Sequence, residues 1–409
     1  MEIGNYSAST RTQKRKFDEC FTFPLNELNQ DVLERVLSCL PTSSFTRLSS
    51  VCKKWKSISD STTFKLACSQ VPFRDPWFFM VDSQSHIGNQ LPIIFDSLEN
   101  NYKKLNPLPL NSCSNFTPSP VSSSGGLLCF FNSPTNQFTV TNPITGSCRK
   151  IIASLDQIEE HPIAAIAMVA KHESFKIVVV SGELPNLKFK QYNSKTDKWE
   201  EKEEEETTLA RKVKFEANYD SSAQYFLSKC GNILSTDIQR SPCKQYSSVL
   251  VTEKSGDEVL YFLSSSGTVV SCNLTSKFYF EYPRLLPVIS EYSIDLVECG
   301  GEMYVVLLSE MLESASVRVW KWDEQWKQVA VMPYWMSHKF YGKNVDINCT
   351  GIGEKILVCL NSEEICSYVM CSLVRNEWVE LPECRVNGEV KEFVCAFSFE
   401  PRIEAFHFL

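Results

Sequence analysis

Residues capable of chemistry are plentiful in this chain, but their spacing organises none of them into a reactive site. The seventeen cysteines are odd in number and spread along the whole length, and none forms a Cys-x-x-Cys pair. The five histidines, His86, His161, His172, His338 and His407, stand at no zinc-like spacing from them. Several cysteines sit in apolar strings, such as Cys129 in LLCFF and Cys359 in ILVCL. Buried free thiols pack as small hydrophobes, and that role is expected here. No P-loop, Gly-x-Gly-x-x-Gly or Gly-x-Ser-x-Gly element occurs in a strand–turn–helix setting. No catalytic residue, cofactor site or metal site is therefore expected.

The bulk properties point the same way. A net charge of −8 disfavours binding nucleic acid through its phosphates, so no direct nucleic-acid partner is expected. The start, MEIGNYSASTRTQKRKFDE, is polar rather than signal-like, and no apolar run approaches the eighteen residues needed to cross a bilayer. The expected setting is the reduced cytosol or nucleus, with no membrane partner. Residues 1–20 read as a disordered tail, and the basic cluster Arg11 to Lys16 as part of it.

The positioning elements begin with Leu28 to Trp55, LNQDVLERVLSCLPTSSFTRLSSVCKKW. Val32, Leu33, Val36, Leu37 and Leu40 recur as an apolar helical stripe. Pro41 stops that helix, Ser43 and Ser44 offer caps for the next, and Phe45, Leu48, Val51, Cys52, Trp55 and Ile58 continue the apolar pattern. Lys53, Lys54 and Lys56 are interleaved on the wet side. Some forty residues cannot bury so much apolar surface alone, which implies that a partner covers the surplus. Leu40-Pro41, Arg47 and Val51-Cys52-Lys53-Lys54-Trp55 resemble the F-box, the adaptor-binding module of cullin–RING ubiquitin ligases. That pattern opens with Leu-Pro; here Leu28 is followed by Asn29, which can still cap the helix.

From Trp77 onward, short runs rich in Val, Ile, Leu and Phe alternate with turn clusters, an all-β texture. A turn residue is followed six positions later by an aromatic in Asp96/Tyr102, Asn193/Trp199, Asn273/Tyr279 and Ser372/Trp378, with variants Trp320/Trp326 and Asn142/Cys148. Successive copies stand 46, 51, 80, 47 and 52 residues apart, and four of these gaps fit a blade period of about 50. Six copies predict six four-stranded blades. The segment resembles divergent kelch repeats of plant F-box/kelch proteins, whose glycine pairs, placed after the second strand, survive as Gly125-Gly126 and Gly300-Gly301. The 80-residue gap predicts an insertion, about 200–245, that opens with the acidic run EEKEEEE, a solvated loop. The strand Glu392 to Phe399 is expected to pair with Trp77 to Val81 and close the ring.

The expected architecture is thus a tail (1–20), a small all-α F-box (21–66), a linker (67–75) and an all-β propeller of six kelch-like blades (76–409). The resemblance implies the substrate receptor of a Skp–cullin–F-box ubiquitin ligase, not itself an enzyme. Leu28, Val32, Leu33, Val36, Leu37 and Leu40 would anchor the Skp adaptor, with Pro41, Leu48, Val51, Cys52 and Trp55 completing or supporting the contact. The propeller would hold an unknown target, Tyr334 and Trp335 being candidate contacts. One alternative keeps the adaptor but recruits a regulatory partner without degrading it. Another is a kelch-type oxidase, with His338 beside Tyr334 and Tyr341 as copper ligands, or a sugar-binding propeller.

Overall fold

The computed structural model describes residues 29–405, apart from 83–90, 111–117, 154–161, 172–173, 286–291, most of 202–247 and a few isolated positions. The predicted tail, Leu28, most of the acidic run, and His86, His161, His172 and His407 lie outside the described residues.

Four short helices come first: α1 (Gln30–Ser38), α2 (Thr42–Ser49), α3 (Lys53–Ile58) and α4 (Thr62–Ser69). Asn29 caps α1, its side chain accepting from the Asp31 N–H at 3.4 Å. The expected serine caps of α2 do not form. Pro41 occupies that position, Ser43 is buried, and the Thr42 hydroxyl donates instead to the Pro401 carbonyl at 2.6 Å. Ser61 caps α4 through the Phe64 N–H. Glu34 is buried between α1 and α4. Burial opposes its charge, but donors from Thr63 (2.5 Å), Gln30 (2.9 Å) and Ser61 (3.0 Å) outweigh that and hold its pKa below the usual carboxylate value.

The strands form six four-stranded antiparallel sheets, the blades of a propeller. Blade 1 is shared between the ends of the β region. Phe393–Phe399 pairs with Trp77–Asp82, Trp77 opposite Phe399 and Phe79 opposite Phe397, followed by Ile93–Asp96 and Asn101–Lys104. The ring-closing pairing expected of these two segments is present. Blades 2 to 6 follow in chain order over 119–152, 163–201, 248–281, 292–331 and 346–380. A separate two-stranded pair, Tyr225–Leu227 with Ile233–Ser235, lies within the inserted stretch.

Strand periodicity explains the core. Successive residues point to opposite sheet faces, so Phe78 and Met80 pack against blade 6 while Trp77 and Phe79 pack against blade 2. Every neighbouring pair of blades shares such an apolar cluster. Both faces of each sheet are therefore covered, which is why runs such as LLCFF lack alternation. Cys129 and Cys359 belong to this packing. Burial alone pushes the Cys129 thiol far up, and burial is the main cause holding Cys359 near 12, so neither is a thiolate at neutral pH.

The six hairpins recognised in the sequence each join the third strand of a blade to its outermost strand. Asp96, Asn142, Asn193 and Asn273 accept from N–H groups two residues on, at 2.9–3.0 Å, the self-bonded turn open to short polar side chains. In the other blades the sixth-position residue lies opposite the residue before the turn residue, as Tyr102 lies opposite Phe95; in blade 5 the turn is tighter and further along, and Trp326 lies opposite Trp322. The glycine pairs also sit elsewhere than expected. Both turn the chain from the innermost strand to the second, with φ of 55° and 86° at Gly125-Gly126 and 64° and 81° at Gly300-Gly301.

An innermost strand has no ladder partner on the edge facing the propeller axis, and at several junctions side chains of the neighbouring blade bond to that edge. Ser122 and Ser124 accept from the N–H groups of Met168 and Ala170 at 3.0 Å. Ser293 and Asp295 accept from Ile347 and Cys349 at 3.1 and 2.6 Å, and Thr350 accepts from Ser398 at 3.0 Å. Lys244, buried on this inner ring, donates to the Cys349 carbonyl and lies 3.6 Å from Asp295 and 5.3 Å from the Phe397 ring centre.

Candidate functional site

The helical unit builds its own small core. Leu33, Leu37, Phe45, Ile58, Phe64 and Cys68 are buried together with Ile403 from the far end of the chain, and Leu40, Leu48 and Trp55 pack around them. Phe45 and Phe64 stack with centroids 4.7 Å apart. This divides the expected adaptor contacts. Adjacent positions on a helix lie about 100° apart, so a stripe at i, i+1, i+4, i+5 spans two faces rather than one. Leu33 and Leu37 face the internal core and are not free anchors; Val32 and Val36 face outward, 48% and 49% exposed. Val51, 72% exposed, and Cys52 lie on the outside as well, and Pro41 is half-buried. The exposed valines are surplus apolar surface for which nothing among the described residues provides cover.

Charged groups and arginine caps join the helices to the propeller. Arg74, in the stretch read as a linker, is buried and donates to the carbonyls of Ser38 and Leu40 at 3.0 and 3.2 Å, satisfying the C-terminal end of α1. Arg402, just beyond the ring-closing strand, donates to the Val71 and Pro72 carbonyls at 3.1 and 3.2 Å. It is held in turn by Glu400 and Glu404 at 2.5 and 3.1 Å. Gly126 lets that segment pass: a Cβ there would stand 2.9 Å from Arg402 Cβ. Arg47 of α2 pairs with Glu99 of the blade 1 hairpin at 2.6 Å, and Glu99 with Lys103 at 2.9 Å. The hydrogen bond from Lys103 is the largest influence on Glu99 and, with Ser43 and Arg47, brings its pKa down to about 2.

Among the described residues the helical unit contacts one face of the propeller, the face carrying the turns that join first to second and third to outermost strands. Ile144, Glu99 and the Gly353 turn belong to such turns, and the innermost strand of blade 1 leaves the ring on this side toward Pro401. The connections between blades emerge on the opposite face, among them the segment 332–345. That segment carries Tyr334 and Trp335, 61% and 71% exposed, on a short helix α5 (Tyr334–Ser337). Tyr334, His338 and Tyr341 stack face to face, with ring centres 4.6 and 5.7 Å apart. Parallel stacking sets the phenol oxygens and imidazole nitrogens side by side instead of converging them on a point, so the arrangement fits packing better than copper ligation. Among the described residues no group of three His, Cys, Asp or Glu side chains is placed to hold a metal ion.

The sequence reading did not find Arg74, Arg402 or Glu99. The carbonyls that these arginines cap lie more than thirty residues away for Arg74 and more than three hundred for Arg402, so no local pattern announces them. The position of the first glycine pair, Gly125-Gly126, before an apolar strand was the available hint of close approach.

Comparison with known proteins accords with this division into two parts. The F-box domain family matches residues 25–67. F-box only protein 13 of Arabidopsis thaliana is 51% identical over 397 residues, which cover 94% of this chain and 86% of that protein. F-box only protein 6 of the same plant is 25% identical over 385 residues, covering 92% and 73% respectively. An F-box/kelch-repeat protein of Arabidopsis thaliana is 35% identical over 135 residues, about a third of each chain (32% and 31%). With its helical module joined to a six-bladed propeller and similarity to F-box only protein 13 along nearly its whole length, the chain belongs to the plant-type F-box proteins.

Proposed function

We propose that this protein is the substrate receptor of a Skp–cullin–F-box ubiquitin ligase, acting in the cytosol or nucleus. The observation that carries the reading is the outward Val32–Val36–Val51 surface on a helical unit whose own core is already complete. Apolar side chains left over after internal packing are what a protein partner would bury, and F-box domains typically meet the Skp adaptor. Leu33, Leu37, Phe45 and Trp55 support that surface from behind, and Leu28, which lies outside the described residues, is kept as a further adaptor contact on the family resemblance. The six blades, kelch-like in their period and turn chemistry, offer the opposite face to a target protein. Catalysis then belongs to the ligase partners. This chain contributes proximity, holding target lysines at high effective concentration near the charged E2. Neither a thioester nor a general base is required of it.

Reconstitution tests this. The chain, assembled with a Skp adaptor, a cullin, a RING subunit and a charged E2, is expected to support ubiquitin transfer to itself or to bound protein. That transfer is expected to fall to background when Val36→Asp is introduced. An assembled complex with no transfer above a receptor-free control would contradict the ligase reading, leaving an adaptor-bound recruiter that does not degrade its partner.

A further inference from the structure

Trp335 is the most exposed aromatic side chain among the described residues, yet the segment that carries it is firmly held. Met332, Met336 and Phe340 are buried in the apolar cluster shared by blades 5 and 6. Glu310 accepts from the Gly342 N–H at 2.7 Å, and Lys343 pairs with Glu364. Lys339 donates to Ser367 at 3.0 Å and to Glu380 at 2.7 Å. Tyr334 rests on His338. Two large rings are thus displayed without freedom to turn inward, and an aromatic side chain ordered in advance loses little entropy when it binds.

The surroundings have a sign. The turns that flank this segment bring Glu310 and Glu313 from blade 5 and Glu363 and Glu364 from blade 6, with Glu380 beside them. The lysines of the segment, Lys339 and Lys343, are already paired with two of these carboxylates. Carboxylates therefore outnumber lysines in the segment and the turns that flank it. An exposed indole on a segment flanked by acidic turns suits a guanidinium or ammonium group, which can stack on the ring while the surrounding field attracts its charge. It repels acidic segments and phosphate backbones.

Resting on the reading of the propeller as a capture device, we propose that Trp335 and Tyr334 are the anchor for a target protein through an arginine- or lysine-bearing segment. The segment 332–345 faces away from the helical unit, so a target docked there leaves the adaptor surface free.

The test uses the full chain bound to a Skp adaptor and a displayed library of random peptides as the probe. Selected peptides are expected to be enriched in Arg and Lys. Binding of a synthesised consensus peptide is expected to weaken about tenfold in Trp335→Ala and severalfold in Glu363→Gln/Glu364→Gln, and to weaken as salt rises. Both sites are exposed, so these variants are expected to melt with the wild type. An acidic or uncharged consensus, an absence of binders, or a basic consensus indifferent to Trp335→Ala would each overturn the proposal. Adaptor binding is scored separately in the same preparations. Its failure in the wild type would count against the receptor reading itself, whereas its success beside any overturning result counts against this inference alone.

Discussion

Glu99 sits where α2 meets the first blade, and its chemistry makes that contact sensitive to acid. Its depressed pKa means that its contribution is complete above the ordinary value of 4.5 and is lost as the pH falls through about 2. Between those values the helical unit is expected to loosen from the blade before the propeller unfolds. Glu99→Gln should flatten the difference; Trp55 fluorescence and hydrogen exchange of α2, followed through an acid titration, would report it. A variant that loosens over the same window as the wild type would show that other carboxylates, Glu34 among them, govern the acid response. At this scale the sequence was partly legible. Asn29 as a cap could be read because the interaction is local, made with the N–H of Asp31. The sorting of Val32 and Val36 from Leu33 and Leu37 could not. A helical stripe specifies which residues are apolar, while the direction of the core depends on Phe64 and Ile403 arriving from elsewhere.

Strands and hairpins were the most readable elements, because turn chemistry and returning aromatics repeat with the blade. Trp199 and Trp326 show what two of these aromatics do: the Trp199 indole N–H donates to the Ile152 carbonyl of the preceding blade at 3.0 Å, and that of Trp326 to the Pro283 carbonyl, just after the preceding blade, at 2.7 Å. Trp199→Phe is expected to keep the packing, lose the hydrogen bond and cost about 1 kcal/mol in denaturant unfolding. The innermost strand Ser119–Ser124 was less readable. SPVSSS has the composition of a loop, but its serines face the axis and satisfy the next blade. Gly351 is a similar case. Its φ is ordinary, yet a Cβ would stand 2.1 Å from the Glu298 carbonyl on the neighbouring inner strand. Gly351→Ala is expected to separate blades 5 and 6 locally and lower stability by about 2–3 kcal/mol. A melting curve unchanged from wild type would refute so close an approach.

The whole molecule is a ring closed by its own ends, with the helical unit fastened to the closure. Arg402 follows the last strand and caps carbonyls after α4, while Arg74 precedes the first strand and caps α1. Arg74→Ala with Arg402→Ala is expected to leave the blades intact and let the helices swing, seen as an increased radius of gyration and faster exchange in α1 and α4. An unchanged radius and unchanged exchange would mean that apolar contact alone fixes the orientation. Six blades and ring closure could be anticipated from the spacing and from a strand left over at the end. The orientation of the helices could not, since it rests on contacts such as Thr42 with Pro401, 359 residues apart. The central claim is that the outward valines meet the adaptor while the inward leucines only support them. The most direct measurement is adaptor affinity and thermal stability for Val36→Asp and Leu37→Asp in parallel. Val36→Asp is expected to keep the wild-type melting profile and lose about 2 kcal/mol or more of adaptor binding, roughly thirtyfold. Leu37→Asp, which buries an unpaired charge, should unfold the helical unit and lose binding with it. Wild-type adaptor affinity in a folded Val36→Asp variant would contradict the account.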